Sequence, residues 1–141
     1  MEKRFMQNRF SPEELDANEW VKKAHDDELN ANSILTHRDG APSGVCFLSQ
    51  QMAEKLLKGL LVFYKKEFPK IHDLLELQTL ILNIEPKIRN LDNELDLLNT
   101  YYFETRYPGD YPEFSWQEAA EAFEAAKKIK EFILGKIKHK S

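Results

Sequence analysis

The stretch Cys46–Lys58, CFLSQQMAEKLLK, decides the fold, because its spacing alone assigns it to a helix. At about 100° per residue, its apolar and polar residues separate onto two arcs. The apolar arc, extended to both sides, contains Val45, Cys46, Met52, Ala53, Leu56, Leu57, Leu60, Phe63 and Tyr64. The polar arc contains Gln50, Gln51, Glu54, Lys55 and Lys58. An apolar arc of roughly 140° or more is typical of a helix that contacts two or more partner helices, so we expect a central helix.

Turn-forming residues separate this central helix from a first helix. We expect the first helix to begin at Ser11 as N-cap, with Pro12 at the first helical position and Glu14 closing a capping box. It runs to about His37, and the Gly- and Pro-containing segment 38–44 ends it. The central helix then continues to about Lys65.

Three more helices are predicted after the central one. Asp73 as N-cap and Glu76 in its capping box open a third helix, which ends at Pro86. Apolar spacing predicts a fourth helix over about 90–106, and Ser115 with Glu118 caps a fifth. No segment alternates with the period of two of a strand, so the predicted fold is all-α: a five-helix up-and-down bundle with the short third helix as a cross-piece.

Length and composition predict one compact domain. The chain has 141 residues, of which 42% are hydrophobic and 31% charged, as is typical of soluble globular proteins. We expect residues 1–10 to form an arm, 11–138 the bundle and 139–141 a short tail. No apolar run reaches the roughly 20 residues of a membrane span, and no signal peptide follows residues 1–4. These features favour a cytoplasmic protein without a membrane partner.

The sequence predicts neither a metal site nor a cofactor. The four histidines, His25, His37, His72 and His139, lack the close spacing of metal ligands. The single cysteine, Cys46, lies on the apolar arc and is interpreted as a small buried hydrophobic residue.

Glu28 stands out because it lies between Val21 and Leu35 in the apolar stripe of the first helix. A buried carboxylate needs a partner. Either a cation from another helix pairs with it, or this stripe faces a polar groove or a dimer interface, or the side chain is exposed. By contrast, Glu54 and Lys58 form an i,i+4 pair that we expect on an exposed face, where it contributes little beyond solubility.

Arg106 is the strongest candidate for ligand binding. Four tyrosines flank it: Tyr101, Tyr102, Tyr107 and Tyr111. A guanidinium binds phosphate through a planar fork, and aromatic faces stack on bases. The alternative is an arginine paired with a carboxylate such as Glu28, with the tyrosines packed at one end of the bundle. His72 is suited to acid–base chemistry near neutral pH, or it holds the turn before Asp73.

Several segments together resemble the HEPN domain of prokaryotes, over roughly residues 17–135. They are Trp20 with Lys23-Ala24 and Glu28-Leu29, then CFLSQQMAEKLLKGLL, then Pro69-Lys70 with His72-Asp73-Leu74, then Thr105-Arg106-Tyr107-Pro108. The resemblance implies a helical bundle that forms a two-fold dimer and is often encoded beside a small MNT-type nucleotidyltransferase. Many members of this family are metal-independent ribonucleases and act as toxins in such pairs.

The resemblance also implies where the active site lies. HEPN ribonucleases use an arginine followed, four to six residues on, by a histidine at the dimer cleft. Arg106 matches the arginine, but Tyr111 stands where the histidine is expected, so the usual general acid or base is missing. Glu28 matches an acidic position of the first helix, and Lys58 belongs to the family-like middle block. In one branch a nearby tyrosine is modified with AMP, which makes Tyr111 a candidate for modification.

The predicted function is therefore a HEPN homodimer that binds a nucleotide or RNA, or that pairs with a nucleotidyltransferase in a toxin–antitoxin-like system. The expected binding residues are Arg106, Tyr107, Tyr111, Lys58 and Glu28. One alternative is an active metal-independent endoribonuclease toxin, with Arg106, Tyr111 and His72 as candidate catalytic residues. Another is a non-catalytic homodimeric adaptor in which Glu28 and Arg106 form a buried pair.

Overall fold

The computed structural model describes residues 16–102 and 113–138. These two ranges contain five α-helices and no strand, which confirms the predicted all-α fold. The helices are α1 (Ala17–His37), α2 (Pro42–Phe63), α3 (Leu74–Leu82), α4 (Asp92–Asn99) and α5 (Trp116–Lys138), with a 3-10 helix (Pro86–Leu91) before α4. The predicted arm and tail lie outside the described residues. The prediction of one helix running on from Ser11 is wrong, because α1 begins at Ala17: Asp16 has extended backbone, and its carboxylate caps α1 by accepting a hydrogen bond from Glu19 N–H at 2.9 Å.

Helix α2 is the central helix, as its sequence predicts. It contacts α1, α3, α4 and α5. Its apolar arc is the middle of the core, and its fully buried large side chains are Met52, Leu56, Leu57, Leu60 and Leu61. Burial of these side chains removes apolar surface from water, which stabilises the packing of α2 in the bundle.

The predicted N-cap of the third helix, Asp73, and the predicted capping box of the fifth helix, Ser115 with Glu118, are confirmed. The Asp73 carboxylate accepts hydrogen bonds from the backbone N–H groups of Leu75 and Glu76, at 2.9 and 3.3 Å. At the start of α5, the Ser115 hydroxyl accepts from Glu118 N–H at 3.0 Å, and the Glu118 carboxylate accepts from Ser115 N–H at 2.8 Å. These bonds satisfy donors that a helix leaves unpaired at its N-terminus.

The α-helix predicted over about 90–106 is shorter in the structure. It begins later than predicted, and within the described residues it also ends earlier. A 3-10 helix occupies Pro86–Leu91, and α4 ends at Asn99. Thr100 and Tyr101 N–H bond back three residues, to the carbonyls of Leu97 and Leu98, and the Thr100 hydroxyl donates to Leu97 O at 2.7 Å. A threonine hydroxyl that competes for a helix carbonyl favours such an end.

Helices α1 and α2 approach closely at Gly59. A Cβ atom built on Gly59 would lie 3.1 Å from the Cβ of Trp20. The missing side chain therefore allows the Trp20 indole to lie across α2 near Lys58. No helix in the described part of the chain is both long and apolar enough to cross a membrane.

Candidate functional site

Three polar residues of α2, Gln50, Glu54 and Lys58, form a row along one side of the helix, and this polar row is buried. The expectation of an exposed Glu54–Lys58 pair is therefore wrong. Gln50 is 0% exposed, Glu54 5% and Lys58 6%. The connection between α2 and α3, residues 64–73, covers this row: the Gln50 amide donates to the carbonyl of His72 at 3.2 Å, and Phe68 lies beside Lys58. The helical pattern in the sequence correctly predicted that these residues face away from the apolar core of the bundle. It did not predict that residues 64–73 would cover that face.

One carboxylate oxygen joins two basic side chains in this row. Oε2 of Glu54 lies 2.9 Å from Nζ of Lys58 and 2.9 Å from Nδ1 of His72. We call these three residues the Lys58–Glu54–His72 network. The side chains of Glu54 and Lys58 are each only 7% exposed, whereas that of His72 is 48% exposed. The network thus runs from a buried ion pair to a half-exposed imidazole.

Two aromatic rings surround the buried ammonium of Lys58. Its Nζ lies 5.7 Å from the ring centroid of Trp20 and 5.9 Å from that of Phe68. The two rings also contact each other edge to face, with centroids 6.4 Å apart. Aromatic faces attract a cation, and the Glu54 carboxylate balances its charge. Lys58 is therefore held in one position by α1, by α2 and by the connection that follows α2.

The imidazole of His72 is fixed on a second side by Tyr102. The two rings are stacked, with centroids 4.8 Å apart and planes inclined by 13°. Tyr102 comes just after α4, so the ring of His72 lies between α2 and the end of α4. Because Glu54 engages Nδ1, the other ring nitrogen, Nε2, is the one left to interact with a ligand.

A cavity of about 410 Å³ opens beside this imidazole. We call it the His72 pocket, and it is lined by Lys70, Ile71, His72, Asp73, Glu76, Asn99 and Tyr102. Its volume lies within the range of small-ligand sites, roughly 300 to 1,000 Å³. The pocket combines a lysine, an imidazole, two carboxylates and two ring faces, so it suits a polar ligand that carries a flat ring.

Asn99 holds one wall of the His72 pocket in place. Its side-chain oxygen accepts a hydrogen bond from Leu74 N–H at 2.8 Å, and its amide donates to Asp73 at 3.2 Å. These two bonds connect the end of α4 to the start of α3. The Asp73 carboxylate also caps α3, so three N–H groups balance part of its negative charge.

The family of this protein follows from comparison with known sequences. The HEPN domain model matches residues 17–137. The chain belongs to the HEPN domain family. Two solved structures are similar to it: an archaeal HEPN homologue, ST0689, and TT1696 from Thermus thermophilus. No curated protein sequence matches this HEPN domain.

Both solved structures are similar over nearly their full length. ST0689 is 29% identical in sequence with a TM-score of 0.69, over 87% of this chain and 98% of that one. TT1696 is 29% identical with a TM-score of 0.70, over 85% of this chain and 97% of that one. These likenesses agree with the resemblance found in the sequence.

Glu28, a predicted binding residue, lies in a different part of the HEPN domain. Its carboxylate oxygens lie 2.8 and 3.0 Å from Nζ of Lys130 on α5, and Nδ1 of His25 lies at 3.4 Å. Burial works to raise the pKa of Glu28, but hydrogen bonding and charge attraction from Lys130, then from His25, lower it below its ordinary value. A cation from another helix thus pairs with Glu28, as one interpretation of the sequence expected.

The remaining sequence-based candidates divide into two groups. Lys58 belongs to the network but points its ammonium at Glu54, and His72 lies in the pocket wall. Arg106, Tyr107 and Tyr111 lie outside the described residues. Gln50, Glu54 and Asn99 were missed as parts of a site. The signal for Gln50 and Glu54 was the four-residue spacing of polar residues on α2, followed by a histidine in the connection to α3. That pattern gave no signal for Asn99.

Neither metal binding nor thiol chemistry is supported in the described residues. Within 16–102 and 113–138, no three His, Cys, Asp or Glu side chains are grouped as metal ligands. Cys46 is buried as predicted. Burial and the charge of Glu118 raise its pKa to about 11, against a lowering contribution from Tyr101, so the thiolate that would act as a nucleophile is disfavoured.

Proposed function

We propose that this HEPN domain binds a nucleotide or RNA at the His72 pocket. The observation that carries the proposal is the buried ion pair of Glu54 and Lys58, which fixes an imidazole at the wall of an open cavity. Well-packed apolar residues commonly replace a buried ion pair without loss of stability. Here the ion pair also orients a half-exposed histidine at a cavity wall, which supports a role at a binding site.

The groups around the pocket suit the parts of a nucleotide. Lys70 supplies a cation for phosphate, and the stacked rings of His72 and Tyr102 supply an aromatic edge and face for a base. Arg106 follows Tyr102 by four residues in the sequence, and it remains the proposed second phosphate ligand, with Tyr107 and Tyr111 as proposed stacking residues. Lys58 acts in this proposal through Glu54, and not by direct contact with the ligand.

Binding can be tested with fluorescently labelled RNA oligonucleotides and nucleotides. Lys70→Ala should weaken binding for all sequences and reduce the slope of log affinity against log salt concentration by about 1, because one phosphate contact is lost. Arg106→Ala should weaken it as well. Lys87→Ala is the matched control, since Lys87 is exposed and does not line the pocket. Unchanged affinity in both Lys70→Ala and Arg106→Ala would remove the site assignment.

The second candidate function is metal-independent RNA cleavage. The hydrogen bond between Glu54 and His72 favours it, because a carboxylate that orients an imidazole is a common arrangement for a general base. In this reaction Nε2 of His72 takes the proton of a ribose 2′-hydroxyl. The bond from O2′ to phosphorus forms, the bond from phosphorus to O5′ breaks, and the leaving O5′ takes a proton from water. The products are a 2′,3′-cyclic phosphate and a 5′-hydroxyl.

Cleavage can be separated from binding by an assay in EDTA. Purified protein should release 2′,3′-cyclic phosphate ends from RNA, and His72→Ala should abolish their release while still binding the oligonucleotide. If the wild-type protein released these ends no faster than His72→Ala and Arg106→Ala, the proposal of ribonuclease activity would be wrong. The proposal of binding would then still stand.

Membership of the HEPN family supports two further proposals about partners. We propose a homodimer, and we propose docking to a small MNT-type nucleotidyltransferase in a toxin–antitoxin-like pair. Light scattering at micromolar concentration should give twice the chain mass. A neighbouring reading frame for a small nucleotidyltransferase, and co-purification of its product with this chain, would support the pair. A monomer mass would contradict the first proposal, and failure of the two proteins to associate the second.

A further inference from the structure

We infer that Glu54 and Lys58 are positioning residues that hold the ring hydrogen of His72 on Nδ1, so that Nε2 of the neutral imidazole offers a lone pair to the pocket. The purpose of this arrangement rests on the proposed function. The arrangement itself rests on the contacts of three described side chains and is testable without any ligand.

The first step concerns the proton between Glu54 and His72. An ionised carboxylate oxygen only accepts hydrogen bonds, so the 2.9 Å contact requires a hydrogen on Nδ1. Lys58 supports the ionised form, because its ammonium donates to the same Oε2 from 2.9 Å and is itself 7% exposed. A protonated Glu54 would leave a buried ammonium without a counter-charge.

The second step concerns the other ring nitrogen. A neutral imidazole carries one hydrogen, so a hydrogen held on Nδ1 by Glu54 leaves a lone pair on Nε2. Lys70, Asp73 and Glu76 line the cavity on that side of the ring.

The third step concerns the orientation of the ring. Gln50 holds the backbone carbonyl of His72 at 3.2 Å, and Tyr102 stacks on the ring face at 4.8 Å. Gln50, Glu54 and Lys58 recur at four-residue spacing on α2, so one helix face fixes both the main chain and the side chain of His72. A ring flip that presented Nε2 to Glu54 would break the Nδ1 contact.

This arrangement specifies what His72 takes from a ligand. A lone pair accepts hydrogen from a donor, so Nε2 suits a hydroxyl or amino group and does not suit a phosphate oxygen. Within a nucleotide, the ribose 2′-hydroxyl is such a donor, and it distinguishes RNA from DNA. The pocket should therefore bind an RNA oligonucleotide more tightly than DNA of the same sequence, and His72→Ala should reduce that difference.

The test is the tautomer of His72, read from long-range ¹H–¹⁵N correlation spectra of the isotopically labelled full chain without ligand. At mildly alkaline pH, where an ordinary imidazole is neutral, His72 should show the Nδ1–H pattern. His37, at the end of α1, is the internal reference in the same spectrum. Glu54→Met, which has no oxygen acceptor, should remove the tautomer preference, and Lys58→Arg should retain the wild-type pattern.

Two outcomes would overturn the inference: an Nε2–H pattern at His72 in the wild-type chain, or an unchanged pattern in a folded Glu54→Met variant. The wild-type spectrum decides the matter even if the variants fail to fold. RNA affinity measured on the same samples separates the two proposals. If His72 shows the Nδ1–H pattern but the protein does not bind RNA, the positioning role stands and the proposed function is contradicted. If the protein binds RNA but His72 shows the Nε2–H pattern, the proposed function stands and the positioning role is contradicted.

Discussion

The carboxylate of Glu54 and the imidazole of His72 are 18 residues apart in the sequence and 2.9 Å apart in the structure. This contact joins the polar face of the central helix to the connection that precedes α3. Lys58 binds the same carboxylate oxygen, so a buried lysine and a half-exposed histidine share one acceptor. The face of α2 that carries no core residues is therefore a structural part of the candidate site.

Removing the buried ammonium should destabilise the fold strongly. In Lys58→Met the Glu54 carboxylate loses its counter-charge, which should lower the free energy of unfolding by about 3 to 5 kcal/mol. The double variant Glu54→Gln with Lys58→Met should recover most of this loss, since neither charge is then left unpaired. Lys127→Met, which breaks an exposed ion pair with Glu124, should change stability by less than about 1 kcal/mol. Denaturant titration measures all three, and equal losses in Lys58→Met and Lys127→Met would contradict the role of burial.

The ion pair of Glu28 and Lys130 should give the fold a specific pH dependence. Its lowered pKa means that the unfolded chain binds a proton at Glu28 more readily than the folded chain does. The pair therefore contributes fully above the ordinary value of 4.5, and its contribution is lost as pH falls through the lower folded-state pKa. The stability difference between wild type and Glu28→Gln should be largest near neutral pH and should shrink at acidic pH. A difference that grew with acidification would have the wrong sign.

Two glycines within helices should respond oppositely to alanine. At Gly59 the added Cβ meets Trp20 at 3.1 Å, so α1 must shift, and we expect a loss of about 1 to 3 kcal/mol. At Gly135 no atom lies within 4 Å of the added Cβ, so the better helix propensity of alanine should stabilise by about 0.5 to 1 kcal/mol. Thermal unfolding of the two variants gives the comparison. Stabilisation by Gly59→Ala would show that α1 and α2 are not closely packed there.

The amide of Asn99 should matter for both stability and binding. Asn99→Ala leaves Leu74 N–H without its acceptor and removes a donor from Asp73, which should destabilise the fold by about 1 to 3 kcal/mol. Because these bonds fix one wall of the His72 pocket, RNA affinity should fall as well. Asn83→Ala is the control, since Asn83 is exposed after α3 and should change stability by less than about 0.5 kcal/mol. Identical behaviour of the two variants would argue against Asn99 as a wall-fixing residue.

Local signals predicted much of the fold. The apolar arc of α2 identified the central helix, and the caps at Asp73 and Ser115 located the starts of α3 and α5. These features depend on residues a few positions apart, which a sequence displays directly. The end of α4 was predicted too late because apolar spacing continues to Tyr102, whereas the backbone already turns at Thr100.

The candidate site depended on contacts that sequence spacing does not display. Glu54 and Lys58 are arranged like an exposed i,i+4 pair, and nothing local indicates that residues 64–73 fold across them. The need of Glu28 for a cation was predictable from its apolar surroundings. The identity of that cation, Lys130, was not, because it lies 102 residues away on α5.

The central claim is that the His72 pocket binds nucleotide or RNA, and an NMR titration tests it most directly. Isotopically labelled protein is titrated with a short RNA oligonucleotide, and the shift of each resonance is followed. The account predicts that saturable shifts are largest at His72, Tyr102, Asn99 and Lys70, and that they are smaller in Lys70→Ala at the same RNA concentration. No saturable shift in the pocket, or shifts confined to a second cavity lined by Leu97 of α4 and by Gln117 and Glu121 of α5, would contradict it.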